Sequence, residues 1–147
     1  MPRFFIPLEA AFGETRVAAT PETVKKLVLL GCDVLIQKGA GTSAGFLDES
    51  YKAAGAEIVS LDEEKIFRET DVVFCVSTPE DKLLSKFKEG TLLVGLLNPY
   101  GNQRLSKILQ SSSLSALALE LLPRISRAQS SDALSSQANI AGYKAVL

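Results

Sequence analysis

The chain has 147 residues, 46% of them apolar and 22% charged, with a formal net charge of −1. That length supports one domain with a substantial core, and the near-neutral balance argues against a general binder of nucleic acid or of anionic membrane surfaces. Histidine is absent altogether, which removes the commonest general base, the commonest metal ligand and every nucleophile–histidine arrangement. No catalytic acid–base residue and no metal site is therefore expected. Apolar runs such as residues 92–97 fall far short of the roughly 20 residues of a membrane span. The start, Met1-Pro2-Arg3-Phe4-Phe5-Ile6-Pro7, lacks the pattern of a signal peptide, so a cytoplasmic location and no direct membrane insertion are expected. Cys32 and Cys75 have no metal-ligand spacing and sit in apolar surroundings, which reads as two buried free thiols.

Residues 3–7 read as a first strand, followed by a loop holding Gly13-Glu14-Thr15-Arg16. Thr20-Pro21 starts a helix, with Thr20 as cap and Pro21 at its first position. Val24, Leu27 and Val28 form its apolar stripe, and Gly31 ends it. A second strand is expected over 33–37, a short helix capped by Asp48 reaching Ala54, a third strand over 57–59 and a helix from 61 or 62 to about 69. A strand over 72–76, a helix opened by Pro79 toward Phe87, a strand over 91–97, a helix over 103–110 and a last strand over 115–120 follow. Alternation of this kind implies parallel pairing through right-handed crossovers. Continuous apolar runs fit strands covered on both faces. The fold class is α/β: a three-layer α/β/α sandwich with a mainly parallel sheet, Rossmann-like or flavodoxin-like.

Several polar loops are candidate sites. Gly39-Ala40-Gly41-Thr42-Ser43-Ala44-Gly45 follows a strand, but no helix begins at its second glycine, as a dinucleotide phosphate loop requires; a structural loop is the better reading. Glu14 and Arg16 lie on the first strand-to-helix loop, where open α/β sheets place ligand groups. A structural salt bridge and a direct substrate contact both remain open for them. Asn98-Pro99-Tyr100-Gly101-Asn102 is turn-forming chemistry, and Asp62-Glu63-Glu64-Lys65 is a solvated helix start. The densest polar segment runs over 124–135, directly after an apolar strand. Arg124 and Arg127 can donate planar charge-assisted hydrogen bonds, and Gln129 both donates and accepts. Asp132 can accept from an amide or lock an arginine, and Ser135 lies one helical turn later. Chemistry alone leaves a ligand site and an interdomain salt-bridge cluster equally open.

The stretch Pro123-Arg124-Ile125-Ser126-Arg127-Ala128-Gln129-Ser130-Ser131-Asp132-Ala133-Leu134-Ser135-Ser136-Gln137-Ala138-Asn139-Ile140-Ala141-Gly142-Tyr143 resembles the signature of the proton-translocating NAD(P) transhydrogenase α subunits. Gly13-Glu14-Thr15-Arg16-Val17-Ala18 with Thr20-Pro21 is similar to the wider alanine dehydrogenase/transhydrogenase family. The resemblance spans essentially the whole chain. It implies that residues 1–147 are the first lobe of the NAD(H)-binding component, domain I, ending before a Rossmann lobe that carries the glycine-rich dinucleotide motif. The unfinished helix after the polar loop is expected to lead toward that lobe.

By the same resemblance, Arg124, Arg127, Gln129, Asp132 and Ser135 are the cofactor-binding residues. Arg124 would hold the nicotinamide carboxamide, Asp132 would fix that geometry, and Gln129 would reach toward NADP(H) presented by a partner component. Implied partners are the NADP(H)-binding and membrane components, with a homodimer and a peripheral association with the membrane through those components. Leu8 stands where relatives usually have lysine, Cys75 and Ser77 stand where alanine dehydrogenases have lysines, Asn98 stands where they have a catalytic histidine, and Ser131 where methionine is common. Alanine oxidation needs acid–base groups and a carboxylate anchor; hydride transfer between two nicotinamide rings needs positioning. A histidine-free lobe therefore suits transhydrogenation. The alternatives are the lobe of an alanine dehydrogenase-like enzyme and a non-catalytic assembly module.

Overall fold

The computed structural model describes residues 1–123, 125–128 and 131–146, with the side chain of Leu134 outside the description. Strands β1 (Arg3–Ile6), β2 (Asp33–Gln37), β3 (Glu57–Val59), β4 (Val72–Ser77), β5 (Leu92–Leu96) and β6 (Ser115–Ala118) form one sheet in the order β3-β2-β1-β4-β5-β6. Every pairing among them is parallel, so the sheet expected to be mainly parallel is wholly so. Helices α1 (Pro21–Leu29), α2 (Asp48–Ala53), α3 (Glu64–Glu69), α4 (Asp81–Leu84), α5 (Gln103–Ser111) and α6 (Ala133–Val146) complete the chain.

The three layers follow from the twofold alternation of side chains along each strand. Phe5, Leu35, Val73, Cys75 and Leu93 face one way and pack with Ile66 and Phe67 of α3, Leu84 of α4 and Leu105 of α5. Ile6, Val34 and Ile36 face the other way and pack with Val24 of α1 and Tyr51 of α2. Phe87 closes the first layer, its ring 5.8 Å from that of Phe5 and 5.2 Å from that of Phe67. Near the carboxyl end of β5, Gly95 lets the neighbouring strand come close: a Cβ there would lie 2.6 Å from the Cys75 carbonyl oxygen.

α1 begins as expected, with the Thr20 hydroxyl accepting from the Thr23 amide at 3.3 Å and Pro21 in its first turn. Elsewhere, competing hydrogen bonds move the element ends. Asp48 does not cap α2. Leu47 is its N-cap residue, and the Asp48 carboxylate turns back to accept from the Gly39 amide at 3.0 Å. Residues 61 and 62 stay outside α3, because the Ser60 hydroxyl donates to Asp62 in a turn that precedes the helix. α4 is only four residues long, since the chain must turn inward to bury Phe87. β6 ends at Ala118, and Leu119–Leu121 form a 3-10 turn that redirects Glu120. Both cysteines are free. Cys75 is buried but Cys32 is only half-buried, because it sits in the turn after α1 instead of in a strand.

Candidate functional site at the carboxyl ends of the strands

The strand order reverses direction between β1 and β4, the point where an open parallel sheet forms a crevice beyond its strand ends. Two carboxylates organise that edge. Glu9, just after β1, crosses to β4 and accepts from the Val76 amide at 2.6 Å, the Ser77 amide at 3.0 Å and the Ser77 hydroxyl at 2.7 Å. Glu120, just after β6, crosses to β5 and accepts from the amides of Leu97 and Asn98. Amides at strand ends run out of ladder partners, and the charged acceptors give them strong bonds. Sequence reasoning missed both residues as organisers of the site. The signal for Glu120 was a lone acid inside the apolar run 116–122; Glu9 carries no comparable signal.

Glu14 and Arg16 form a planar two-point pair. Arg16 Nε donates to Glu14 Oε1 at 2.8 Å and Nη2 to Oε2 at 2.6 Å, while the Arg16 backbone amide also donates to Oε1 at 2.9 Å. The side-chain hydrogen bonds from Arg16 hold the Glu14 carboxyl down at about 2, against the cost of its own burial. The same pairing raises the guanidinium further. Of the two readings left open for this pair, the salt bridge is present. It also has a third arm, because Arg16 Nη1 donates to Gln137 Oε1 in α6 at 3.0 Å.

Between this pair and α6 lies a hollow of about 320 Å³, lined mainly by apolar side chains that include Val17, Phe74, Val76, Leu96 and Ala133, with Arg16 and Gln137 as polar groups. A larger hollow of about 430 Å³ lies beside α3, among Asp62, Glu64, Arg68 and Lys86. Its lining is mostly charged, apart from Leu61 and Phe67, and includes no strand end. The smaller hollow is the better candidate because strand ends and converging polar groups meet there.

Of the five residues expected to bind cofactor, Arg124 and Gln129 lie outside the described residues. Asp132 and Ser135 come together at the start of α6: the Ser135 amide donates to Asp132 Oδ1 at 3.0 Å and its hydroxyl to Oδ2 at 2.5 Å, in the manner of a helix cap. Arg127 is exposed in the turn over 126–128. Asn98 adopts a left-handed backbone, φ 45°, and its side-chain oxygen accepts from the Gly101 amide at 3.3 Å. It serves the turn, as its sequence suggested. Leu8 is exposed, and its amide donates to the Gln37 side chain at 2.9 Å. The glycine loop is structural in its geometry. Besides the Asp48 contact, a Cβ at Gly41 would lie 2.5 Å from the Tyr51 ring, and the Tyr51 hydroxyl donates to the Ala19 carbonyl at 2.9 Å. No helix among the described residues is long and apolar enough to cross a membrane.

Comparison with known proteins places these features in a family. The profile described as alanine dehydrogenase/PNT, N-terminal domain, matches residues 5–141. The chain is 42% identical over 142 residues to the NAD(P) transhydrogenase subunit alpha of Haemophilus influenzae, covering 97% of this chain and 27% of that protein. It is 41% identical over 141 residues to the NAD(P) transhydrogenase subunit alpha of Cereibacter sphaeroides, covering 96% of this chain and 27% of that one. Alanine dehydrogenase of Methanococcus maripaludis is 34% identical over 141 residues, covering 96% of this chain and 37% of that one. The crystal structure of transhydrogenase from Sinorhizobium meliloti superposes with a TM-score of 0.91 at 40% identity, over 98% of this chain and 42% of that chain. An L-alanine dehydrogenase structure gives 0.73 at 30% identity, over 80% and 32%. The chain thus spans less than half the length of these relatives.

Proposed function

The chain belongs to the alanine dehydrogenase/PNT N-terminal domain family, and from that membership we propose that it is the first lobe of the NAD(H)-binding component of a proton-translocating NAD(P) transhydrogenase. The observation that carries the choice is the gap between the two branches of the family. Identity is 41–42% to transhydrogenase α subunits against 34% to an alanine dehydrogenase, each over nearly the whole chain. The missing histidine points the same way, since oxidising an amino acid requires a proton acceptor and a nicotinamide-to-nicotinamide transfer does not.

The residues present suit a nicotinamide ring. A mainly apolar hollow of about 320 Å³ can take its flat face, and the Asp132–Ser135 pair supplies polar groups at the start of α6. In this reading Arg124, Gln129, Asp132 and Ser135, with Arg127 beside them, hold and orient the NAD(H) nicotinamide. Bound NADH supplies a hydride from its C4, and NADP(H) is presented by a separate component. The chain's own work is positional. Arg124 holds the carboxamide, Asp132 fixes the start of α6, and the apolar lining excludes water. Proton movement would belong to membrane components, to which this lobe would be peripheral from the cytoplasmic side, as part of a homodimer.

The test uses the complete NAD(H)-binding component with its NADP(H)-binding partner. Hydride transfer from NADPH to an NAD⁺ analogue is expected, with no oxidation of alanine by NAD⁺. Arg124→Ala and Asp132→Ala should each lower the transfer rate by about 10- to 100-fold. Alanine oxidation without transhydrogenation would overturn the reading, and rates untouched by both substitutions would reduce the lobe to an assembly module. Residues 1–147 alone are expected neither to bind NAD at micromolar concentration, as calorimetry would show, nor to transfer hydride.

A further inference from the structure

The geometry points to Arg16 as a positioning residue for Asp132 and Ser135 at the start of α6, acting through Gln137; this role rests on the transhydrogenase reading above. Glu14 engages Nε and Nη2 of the guanidinium and also the Arg16 backbone amide, so the arginine's plane is fixed. Its remaining arm, Nη1, then donates to Gln137 Oε1 at 3.0 Å, joining residues 121 positions apart. A rigid fork of this kind loses little freedom in making one more bond.

Gln137 lies two residues beyond Ser135 in the first turns of α6. Asp132 and Ser135 belong to the same turn by their mutual hydrogen bonds. Anything that sets the first turns of α6 therefore sets the two polar residues assigned to the ring. Burial does little of this within the lobe, because residues 135–146 are all exposed. Arg16 and Gln137 also line the same apolar hollow, with Val17, Phe74 and Leu96 among their neighbours. Their bond is a strap across that hollow, from the loop after β1 to α6. Glu120 ties the turn after β6 to the end of β5 on the same edge of the sheet.

A strap differs from a direct substrate contact in where its loss is felt. Losing a direct contact would weaken binding, whereas a loosened strap leaves binding and misplaces the ring. Single-turnover hydride transfer from NADPH to an NAD⁺ analogue would be measured in the complete component with its partner, for Arg16→Met, Gln137→Met, the double variant and Gln137→Glu. Each Met variant should slow transfer about tenfold, and the double variant should be no slower than the singles. Gln137→Glu keeps the acceptor and should hold to within about twofold of wild type, as should the NADH dissociation constant of every variant. Amide exchange in the first turns of α6 should quicken in both Met variants. Gln137 sits on an exposed helix face, so its variants fold even if Arg16→Met does not.

Loss that appears in NADH affinity overturns the strap in favour of direct contact. Independent, multiplying losses in the double variant overturn it too, as do unchanged rates in both Gln137 variants. A wild-type protein that transfers no hydride overturns the functional reading and this role together. An active wild type with unresponsive variants overturns the role alone.

Discussion

Glu9 provides the sharpest test of how the crevice is built. Its carboxylate accepts three hydrogen bonds from the end of β4, at 2.6, 3.0 and 2.7 Å. A hydrogen bond to a charged group nets about 1.5–3 kcal/mol. Three of them do not add here, because they share one carboxylate and the half-buried site lets water reach the Val76 and Ser77 amides once it is gone. Glu9→Ala is therefore expected to cost about 2–3 kcal/mol, nearer the value of one strong bond than of three. In a domain of this size that lowers the melting temperature by about 6–12 °C, read by thermal and urea unfolding followed by circular dichroism. Ser77→Ala removes one donor and should cost about 1 kcal/mol in the wild type but almost nothing in the Glu9→Ala background. A Glu9→Ala protein that melts within about 1 °C of wild type, with the same urea midpoint, would refute the claim that this carboxylate joins the two halves of the sheet.

Tyr51→Phe strips the buried Ala19 carbonyl of its donor and should destabilise by about 1–3 kcal/mol in urea unfolding. Gly95→Ala drives a Cβ to 2.6 Å from a backbone oxygen, which no side-chain movement relieves; a loss of about 1–3 kcal/mol is expected in the same assay. For Glu14 the folded carboxyl lies near 2 and the ordinary value is 4.5. Its stabilising contribution is therefore complete above pH 4.5 and is lost as pH falls from there toward 2. Urea midpoints between about pH 5 and 2 should fall less steeply in Glu14→Gln than in wild type, and identical slopes would count against the pair.

The α/β architecture was legible because the strands from β1 to β5 announce themselves as short apolar runs with β-branched or aromatic residues between helical spacings. β2 and β3 fall where their sequences put them. What sequence could not reveal was the destination of charged side chains. Asp48 reads as a cap until Gly39 is seen to approach it, and residue 120 reads as strand until its carboxylate is seen to serve β5. These contacts link positions 9 and 23 residues apart, and nothing in local periodicity encodes them. The Glu14–Arg16 pair was legible as a possibility because its members lie two residues apart, but its third arm to Gln137 was not. Asp132 and Ser135 were legible as neighbours from helical spacing alone, although they face each other and not outward in parallel.

The sheet order also bears on how the chain folds. β1, β2 and β3 follow one another along the chain and can pair as soon as they exist. The other edge of β1 must wait for β4, and Glu9 for Ser77, 68 residues away. Closing so long a segment is slow. Until it closes, β1 shows an open, strongly apolar edge carrying Phe4, Phe5 and Ile6, which invites pairing with another chain. The crevice is thus expected to form late in folding, with aggregation fastest in the interval before β4 arrives.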